Sequence, residues 1–291
     1  MNVAVLGANT RARAIARRCA LSGVDVRLHA SEATTVMDSV DIVEQQLDES
    51  GRGGDRQYIE GTTSLEAAVA DADVVIETTC SDVGELQTRF SEVEALIGEE
   101  TLVATAVPEV SVTAAVAGVR HPERAVGFRF QSLDESFVEL VLGEVTDSSA
   151  LAQATEFVER VELEWIPVRD VPGGASTRLS LALETTAIRL LDEGVAGVVA
   201  IDTVFKQRYG AAIGPLERID RVGLDTHFDS LRSLSDTLGP QFEPPPLLST
   251  LVDAGQTGMA AGEGFYRWED GEPVESALTE PAIPTGEDRE P

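Results

Sequence analysis

The residues best placed to do chemistry stand at the very start of the chain. Gly7-Ala8-Asn9-Thr10-Arg11-Ala12 follows a short apolar run and precedes a helical pattern. That is the place of a dinucleotide fingerprint, G-x-G-x-x-G or A, whose glycines form the tight turn and bring the pyrophosphate to a helix N-terminus. Gly7 supplies the turn, and Ala12 is small enough for the close helix–strand packing needed at the third position. Asn9 departs from the pattern. Its side chain fills space that a glycine leaves open, although asparagine tolerates left-handed backbone angles, so the turn itself survives. The acid that would hold the adenine ribose should end the second strand. That strand ends Leu28-His29-Ala30-Ser31, so Ala30 stands where the ribose contact is expected, and Glu32 reaches the place only if the loop bends back. Loss of the acid admits a 2′-phosphate, yet no arginine follows the strand to bind one. Glu77 ends a later strand over the same site and reads either as a hydrogen-bond partner for the cofactor or as an ordinary strand-end carboxylate. The loop therefore carries two readings: an NAD-binding turn, or a Rossmann-type fold that no longer holds a dinucleotide.

Other reactive residue types offer less. His29 ends a strand, His121 precedes a proline turn and His227 lies on a late helix; none shows a carboxylate or serine partner in the sequence, and each reads as structural. Cys19 and Cys80 make neither a disulfide framework nor a metal spacing, so both read as buried thiols.

These residues need elements to position them. Residues 1–6 read as a buried parallel strand. Residues 10–22 read as a helix with Ala12, Ile15, Ala16, Cys19 and Ala20 on one face, and residues 24–29 as a second strand. Together they form a βαβ unit. Beyond it the pattern predicts a helix over 31–47, a flexible turn over 49–56 and a short helix over 65–69. A strand over 74–78, a helix over 81–97, a strand over 102–106 and a short helix over 112–117 follow. Strands over 125–130 and 137–142, a helix over 148–161 and a strand over 165–168 complete the series. This alternation predicts an α/β fold, a Rossmann-type doubly wound sheet. From residue 173 no clear strand appears, and helices over 177–191, 198–208, 214–226, 228–238 and 246–254 predict an all-α module. The expected division is 1–170 for the dinucleotide-binding domain, 171–274 for the helical domain and 275–291 for an acidic disordered tail.

Charge bounds the partners. The chain of 291 residues carries 51 Asp+Glu against 22 Lys+Arg, a net charge of −29, and Lys206 is its single lysine. Such a surface repels phosphate backbones and anionic lipid, which argues against nucleic-acid and membrane partners. No run approaches the ~20 apolar residues of a membrane span, and the N-terminus lacks the charged start of a signal peptide. A cytoplasmic protein is expected. The same acidity, with almost no lysine, predicts a salt-adapted surface whose self-repulsion is screened at high ionic strength.

Several further blocks, in order, carry a family resemblance. They are Gly61-Thr62-Thr63-Ser64-Leu65, Asp71-Ala72-Asp73-Val74-Val75-Ile76-Glu77, Pro122-Glu123-Arg124 and Asp170-Val171-Pro172-Gly173 in the first part. In the second part are Leu190-Leu191-Asp192-Glu193-Gly194, Ile201-Asp202, Gly214-Pro215-Leu216-Glu217, Val222-Gly223-Leu224-Asp225, Pro244-Pro245-Pro246 and Gly262-Glu263-Gly264-Phe265-Tyr266. The chain resembles the L-3-hydroxyacyl-CoA dehydrogenases over nearly its whole length except the acidic tail. The resemblance implies an NAD-binding domain, an all-helical dimerisation domain and hence a homodimer, and an active site in the cleft between domains. The implied reaction is hydride exchange between a 3-hydroxyacyl-CoA and NAD.

The resemblance also implies catalytic positions, and here the chain departs from it. The family base is a histidine in an H-F-F-N-P segment, held by a glutamate shortly after. That histidine position falls on Arg129 in Gly127-Phe128-Arg129-Phe130-Gln131-Ser132, and the glutamate on Glu139, with two residues deleted between. The N-T-S-S segment reads Ala106-Val107-Pro108-Glu109, and the asparagine that orients the substrate falls on Thr177. Arginine stays protonated across accessible pH, so Arg129 is no base. Arg129 with Glu139 reads as an ion pair closing a former active site, or as a cationic anchor for a carboxylate or oxyanion. Glu109 reads as a replacement base or as one more surface acid. Ser176 and Thr177 read as substrate contacts or as helix caps. The 31–56 excursion matches a segment that helps contact CoA in the family and offers Arg52 and Arg56. Two functions follow: a dehydrogenase of this family with a shifted substrate and an unusual base, and a catalytically degenerate paralogue that keeps the fold and ligand binding.

Overall fold

The computed structural model describes residues 1–107, 110–130 and 136–278. The chain separates into two compact units, Met1–Ser176 and the part that begins at Thr177. The expected boundary at 170/171 thus moves six residues on, because the turn after the last sheet strand still packs with the first unit.

In the first unit, β1 (Asn2–Leu6), β2 (Asp25–His29), β3 (Ile59–Thr62), β4 (Val74–Glu77), β5 (Leu102–Thr105), β6 (Ala125–Arg129), β7 (Phe137–Leu142) and β8 (Glu164–Arg169) form one sheet of order β3-β2-β1-β4-β5-β6-β7-β8. All neighbours are parallel except β6 and β7. The connecting helices include α1 (Thr10–Leu21), α2 (Ala33–Glu49), α3 (Leu65–Val69), α4 (Val83–Glu94), α5 (Val112–Ala115) and α6 (Ser148–Arg160). Strands buried on both faces read as continuous apolar runs, and Val3, Val5, Val26, Leu28, Val74 and Ile76 are all in the core. The order reverses between β1 and β4, the crevice where open α/β sheets bind ligands. Register sharpens that point. Leu6 lies beside both His29 and Glu77, His29 beside Thr62, and Glu77 beside Thr105, so the carboxyl ends of the strands line up along one edge.

The sequence pattern missed β3. Only Ile59 among its four residues is buried, and an edge strand of that length has no alternation to detect.

The second unit holds α7 (Ser176–Asp192), whose first residue still belongs to the first unit, then α8 (Val198–Tyr209), α9 (Pro215–Val222), α10 (Leu224–Leu238) and α11 (Pro246–Asp253). The expected helix over 214–226 is instead broken at Gly223, whose φ of 109° lies outside helical geometry. The unit also carries a hairpin, β9 (Tyr266–Glu269) with β10 (Glu272–Ser276), where an all-α module was expected. Buried carboxylates explain its order. Asp220 accepts from the Phe265 and Tyr266 amides and from Trp268 Nε1 at 2.8–2.9 Å, while Asp202 accepts from the Leu216 and Glu217 amides and the Tyr266 hydroxyl at 2.9 Å. Burial pushes both carboxyls above their ordinary range. Glu275 and Ser276, expected in the tail, close β10, and Glu275 pairs with Arg267 at 2.7 Å. Residues 279–291 of the expected tail lie outside the described residues.

Candidate functional site

The glycine loop is built as its motif requires, by a different route from the one the sequence implied. Gly7 has φ 128°, and a Cβ there would collide with Thr78 Oγ1 and the Thr79 methyl. Gly7→Ala is therefore expected to cost about 1–3 kcal/mol in a denaturant melt; an unchanged midpoint would show that the loop relaxes freely. Asn9 uses no left-handed backbone. It is extended (φ −79°, ψ 177°) and caps α1, its side chain accepting from the Ala12 amide at 2.9 Å and donating to the Thr78 carbonyl at 2.8 Å. Ala12 is fully buried, as close helix–strand packing demands.

The edge beside the loop is polar and buried. Glu77 is fully buried, and its Oε1 accepts from the Thr79 amide and hydroxyl at 2.5 and 2.6 Å and from the Cys80 amide at 3.2 Å. Its other oxygen faces Arg89 Nε at 3.7 Å. The carboxylate thus closes the turn after β4. Burial, and then the Arg89 charge, lower the His29 pKa, which keeps that ring neutral at the tip of β2. Burial, with Glu77 second, raises the Cys80 thiol, and burial pushes Cys19 up to about 12, so neither is a ready thiolate. Ala30 is half-buried and brings no acid to the ribose position. These residues fit the phosphate end of a dinucleotide: a turn that excludes a side chain, a twelve-residue helix opening behind it, and the sheet's reversal point beneath.

A second cluster forms at the β6–β7 turn. Antiparallel register sets Arg129 directly opposite Glu139. Their side chains pair at 3.2 Å with Arg129 only 5% exposed and Glu139 fully buried. Glu139 Oε1 also accepts from the Ala175 and Ser176 amides at 3.1 and 2.6 Å and from the Ser176 hydroxyl. Gly174, at φ 54°, lies so close that a Cβ would strike both Arg129 Nη1 and Glu139 Oε2. The sequence brought Arg129 and Glu139 together; Ser176 and Gly174 were missed as parts of the cluster, since only folding brings residues 174–176 to strand β7. Thr177 is the second residue of α7 and belongs to the second unit. Pro108, Glu109, Gln131 and Ser132 lie outside the described residues.

Arg52 and Arg56 stand in half-exposed ion pairs, Arg52 with Asp55 at 2.7 Å and Arg56 with Asp48 and Glu44. One expectation is corrected. Two histidines do have carboxylate partners: His121 with Glu123 at 3.2 Å and the buried His227 with Glu184 at 3.3 Å. The His227 partner is 43 residues away in sequence, beyond any local motif.

Comparison with known proteins places this geometry. Residues 2–171 match the 3-hydroxyacyl-CoA dehydrogenase NAD binding domain, and residues 173–268 match the C-terminal domain of the same family. A 3-hydroxybutyryl-CoA dehydrogenase of Bradyrhizobium diazoefficiens is 31% identical over 94% of this chain and 97% of its own length. A 5-formyl-3-hydroxy-2-methylpyridine 4-carboxylate 5-dehydrogenase of Mesorhizobium japonicum is 27% identical over 91% of this chain and 90% of its own. The crystal structure of (S)-3-hydroxybutyryl-CoA dehydrogenase from Ralstonia eutropha superposes with a TM-score of 0.86 at 26% identity, over 92% of this chain and 99% of that one. The chain belongs to the 3-hydroxyacyl-CoA dehydrogenase family of oxidoreductases, with an NAD-binding domain followed by the family's C-terminal domain.

Proposed function

We propose that this chain is an NAD(H)-binding oxidoreductase of the 3-hydroxyacyl-CoA class whose proton-transfer pair has become a structural ion pair. The single observation that carries the second half is the state of Glu139. Its carboxylate is held by Arg129, by the Ala175 and Ser176 amides and by the Ser176 hydroxyl. A bound nicotinamide supplies or accepts the hydride. Taking the proton from a substrate hydroxyl falls to the protein, and Arg129 has no lone pair to take it with. What the chain retains is the binding half: the Gly7 turn, the N-terminus of α1 and the buried Glu77 edge.

A second reading, a catalytically degenerate paralogue that still binds ligand, is favoured by the same saturation of Glu139 and by the pairing of Arg52 and Arg56. A CoA phosphate would have to compete with Asp55, Asp48 and Glu44 for those arginines. One experiment separates the readings. NAD, NADH and NADP are titrated against the full chain in molar KCl, with the melting temperature recorded, and NADH oxidation is followed with acetoacetyl-CoA. Binding with turnover supports the oxidoreductase, binding without turnover supports the degenerate paralogue, and no stabilisation by any dinucleotide overturns both.

The helical unit leaves large apolar side chains in solvent, among them Leu179 and Leu183 on α7, Val199, Val204 and Tyr209 on α8, and Val222. Such a surface supports a homodimer. No helix among the described residues is long and apolar enough to cross a membrane, and a cytoplasmic location belongs to the same proposal. The net charge of −29 predicts a melting temperature that rises from dilute buffer to molar KCl as like charges are screened; a midpoint independent of salt would contradict a salt-adapted surface.

A further inference from the structure

The glycine loop holds cations that its motif does not call for. Helix α1 carries Arg11, Arg13, Arg17 and Arg18 within twelve residues. In a chain with 51 acids and 22 bases, some arginines meet carboxylates, as Arg27, Arg52, Arg56 and Arg89 do. Arg11 and Arg13 meet none among the described residues. Arg13 instead donates to the Ala8 carbonyl at 2.7 Å and to Thr10 Oγ1 at 3.2 Å. Two of its five N–H donors are thereby used, and the guanidinium is held level with the loop itself. Helical side chains lean toward the N-terminus, so Arg11, on the first turn, reaches toward the same end.

The cap explains why cations are wanted there. Asn9 takes the Ala12 amide for itself, so a phosphate at this helix end finds one fewer N–H than a glycine would leave it. The surrounding field of a −29 chain opposes the same phosphate. Guanidinium groups suit phosphate oxygens through charge and through their planar donor fork.

We propose that Arg11 and Arg13 are phosphate ligands of the dinucleotide, taking over the anion contact from which Asn9 withdraws the Ala12 amide. The inference rests on the NAD(H)-binding reading above. Because the Gly7 amide donates to the His29 carbonyl at 2.8 Å, the glycine loop leaves the sheet at the tip of β2, one residue before Ala30 in that strand's chain. Arg13 therefore lies within reach of two phosphates: the pyrophosphate at the helix end, and a 2′-phosphate on the ribose side, where the acid is absent.

The test is calorimetric titration of the full chain with NAD and with NADP, in dilute buffer and in molar KCl. Wild type is compared with Arg11→Gln, Arg13→Gln, the double variant, Arg13→Lys, and Arg17→Gln as a control one turn further along α1. Each variant is checked by its melting temperature. The double variant is expected to weaken binding about tenfold or more and to lose much of the salt dependence, with Arg17→Gln unchanged. Arg13→Lys, which keeps the charge, is expected to hold most of the affinity. Arg11 makes no hydrogen bond or ion pair among the described residues, so a binding loss in Arg11→Gln at an unchanged melting temperature cannot be a folding defect. Equal losses for both dinucleotides assign the arginines to the pyrophosphate; a larger loss for NADP assigns them to the 2′-phosphate; either supports the proposal. Wild-type affinity in the double variant overturns it while leaving NAD binding intact, whereas a wild-type chain that binds neither dinucleotide overturns both.

Discussion

Glu139→Ala is expected to destabilise the first unit by about 3–5 kcal/mol, the cost of removing one partner from a buried charge pair. The magnitude follows from what the carboxylate holds. Arg129 lies opposite it at 3.2 Å in a site closed to solvent, and two backbone amides and a hydroxyl from residues 175 and 176 converge on one oxygen. Removing the acid takes one partner from a buried cation and orphans amides at the start of α7. Glu139→Gln keeps the acceptor oxygen without the charge and is expected to lose less, about 1–3 kcal/mol. A double-mutant cycle with Arg129→Ala makes the point sharper. If the two side chains stabilise each other, the double variant loses less than the sum of the single ones. Strict additivity would show that the pair contributes no coupling and would remove the basis for calling it structural. Gly174→Ala supplies an independent check, since its Cβ would enter the space of both charged groups; the variant is expected to melt earlier than wild type.

The second large effect is on turnover. With acetoacetyl-CoA and NADH in molar KCl, wild type is expected to run about 10²–10⁴-fold slower than family members that carry the histidine, the usual contribution of a positioned general acid–base. Arg129→His is expected to recover about tenfold of that deficit. The antiparallel register already sets position 129 opposite Glu139, so an imidazole there would face a carboxylate that can orient it. Recovery is expected to stay partial, since the resemblance puts Thr177 at the family's asparagine position and Pro108 in its serine segment. Wild-type turnover equal to that of histidine-bearing relatives would show that proton transfer runs through another group. No gain in a stably folded Arg129→His would count for the degenerate paralogue.

Much of the glycine turn and its flanking elements was legible in the sequence, and for a local reason. Gly7, Asn9 and Ala12 sit within six residues, and the strand–turn–helix that displays them is written in the periodicity of their immediate neighbours. The absence of an acid at Ala30 was likewise readable, because the ribose contact is tied to the end of one strand. The expectation that Arg129 stands at the family's histidine position rests on family blocks in their order, with no help from the chemistry of Arg129. What the local pattern could not supply was the conformation of single residues. It allowed Asn9 a left-handed backbone, whereas the structure has it extended with its side chain on the Ala12 amide. It read one helix over 214–226 where Gly223 breaks the chain.

By itself, then, the sequence determined the doubly wound sheet, the helical module after it, the glycine turn and the family, since each depends on composition and spacing within short stretches or on their order along the chain. Only the tertiary structure decided what the polar residues are doing. Glu139 is saturated by amides 36 and 37 residues away, and Asp220 ties down a hairpin 45 to 48 residues away. His227 meets Glu184 across two helices, and Arg11 and Arg13 meet no carboxylate among the described residues. Burial and partner choice for a charged group depend on which distant segments pack against it, and spacing along the chain does not encode that.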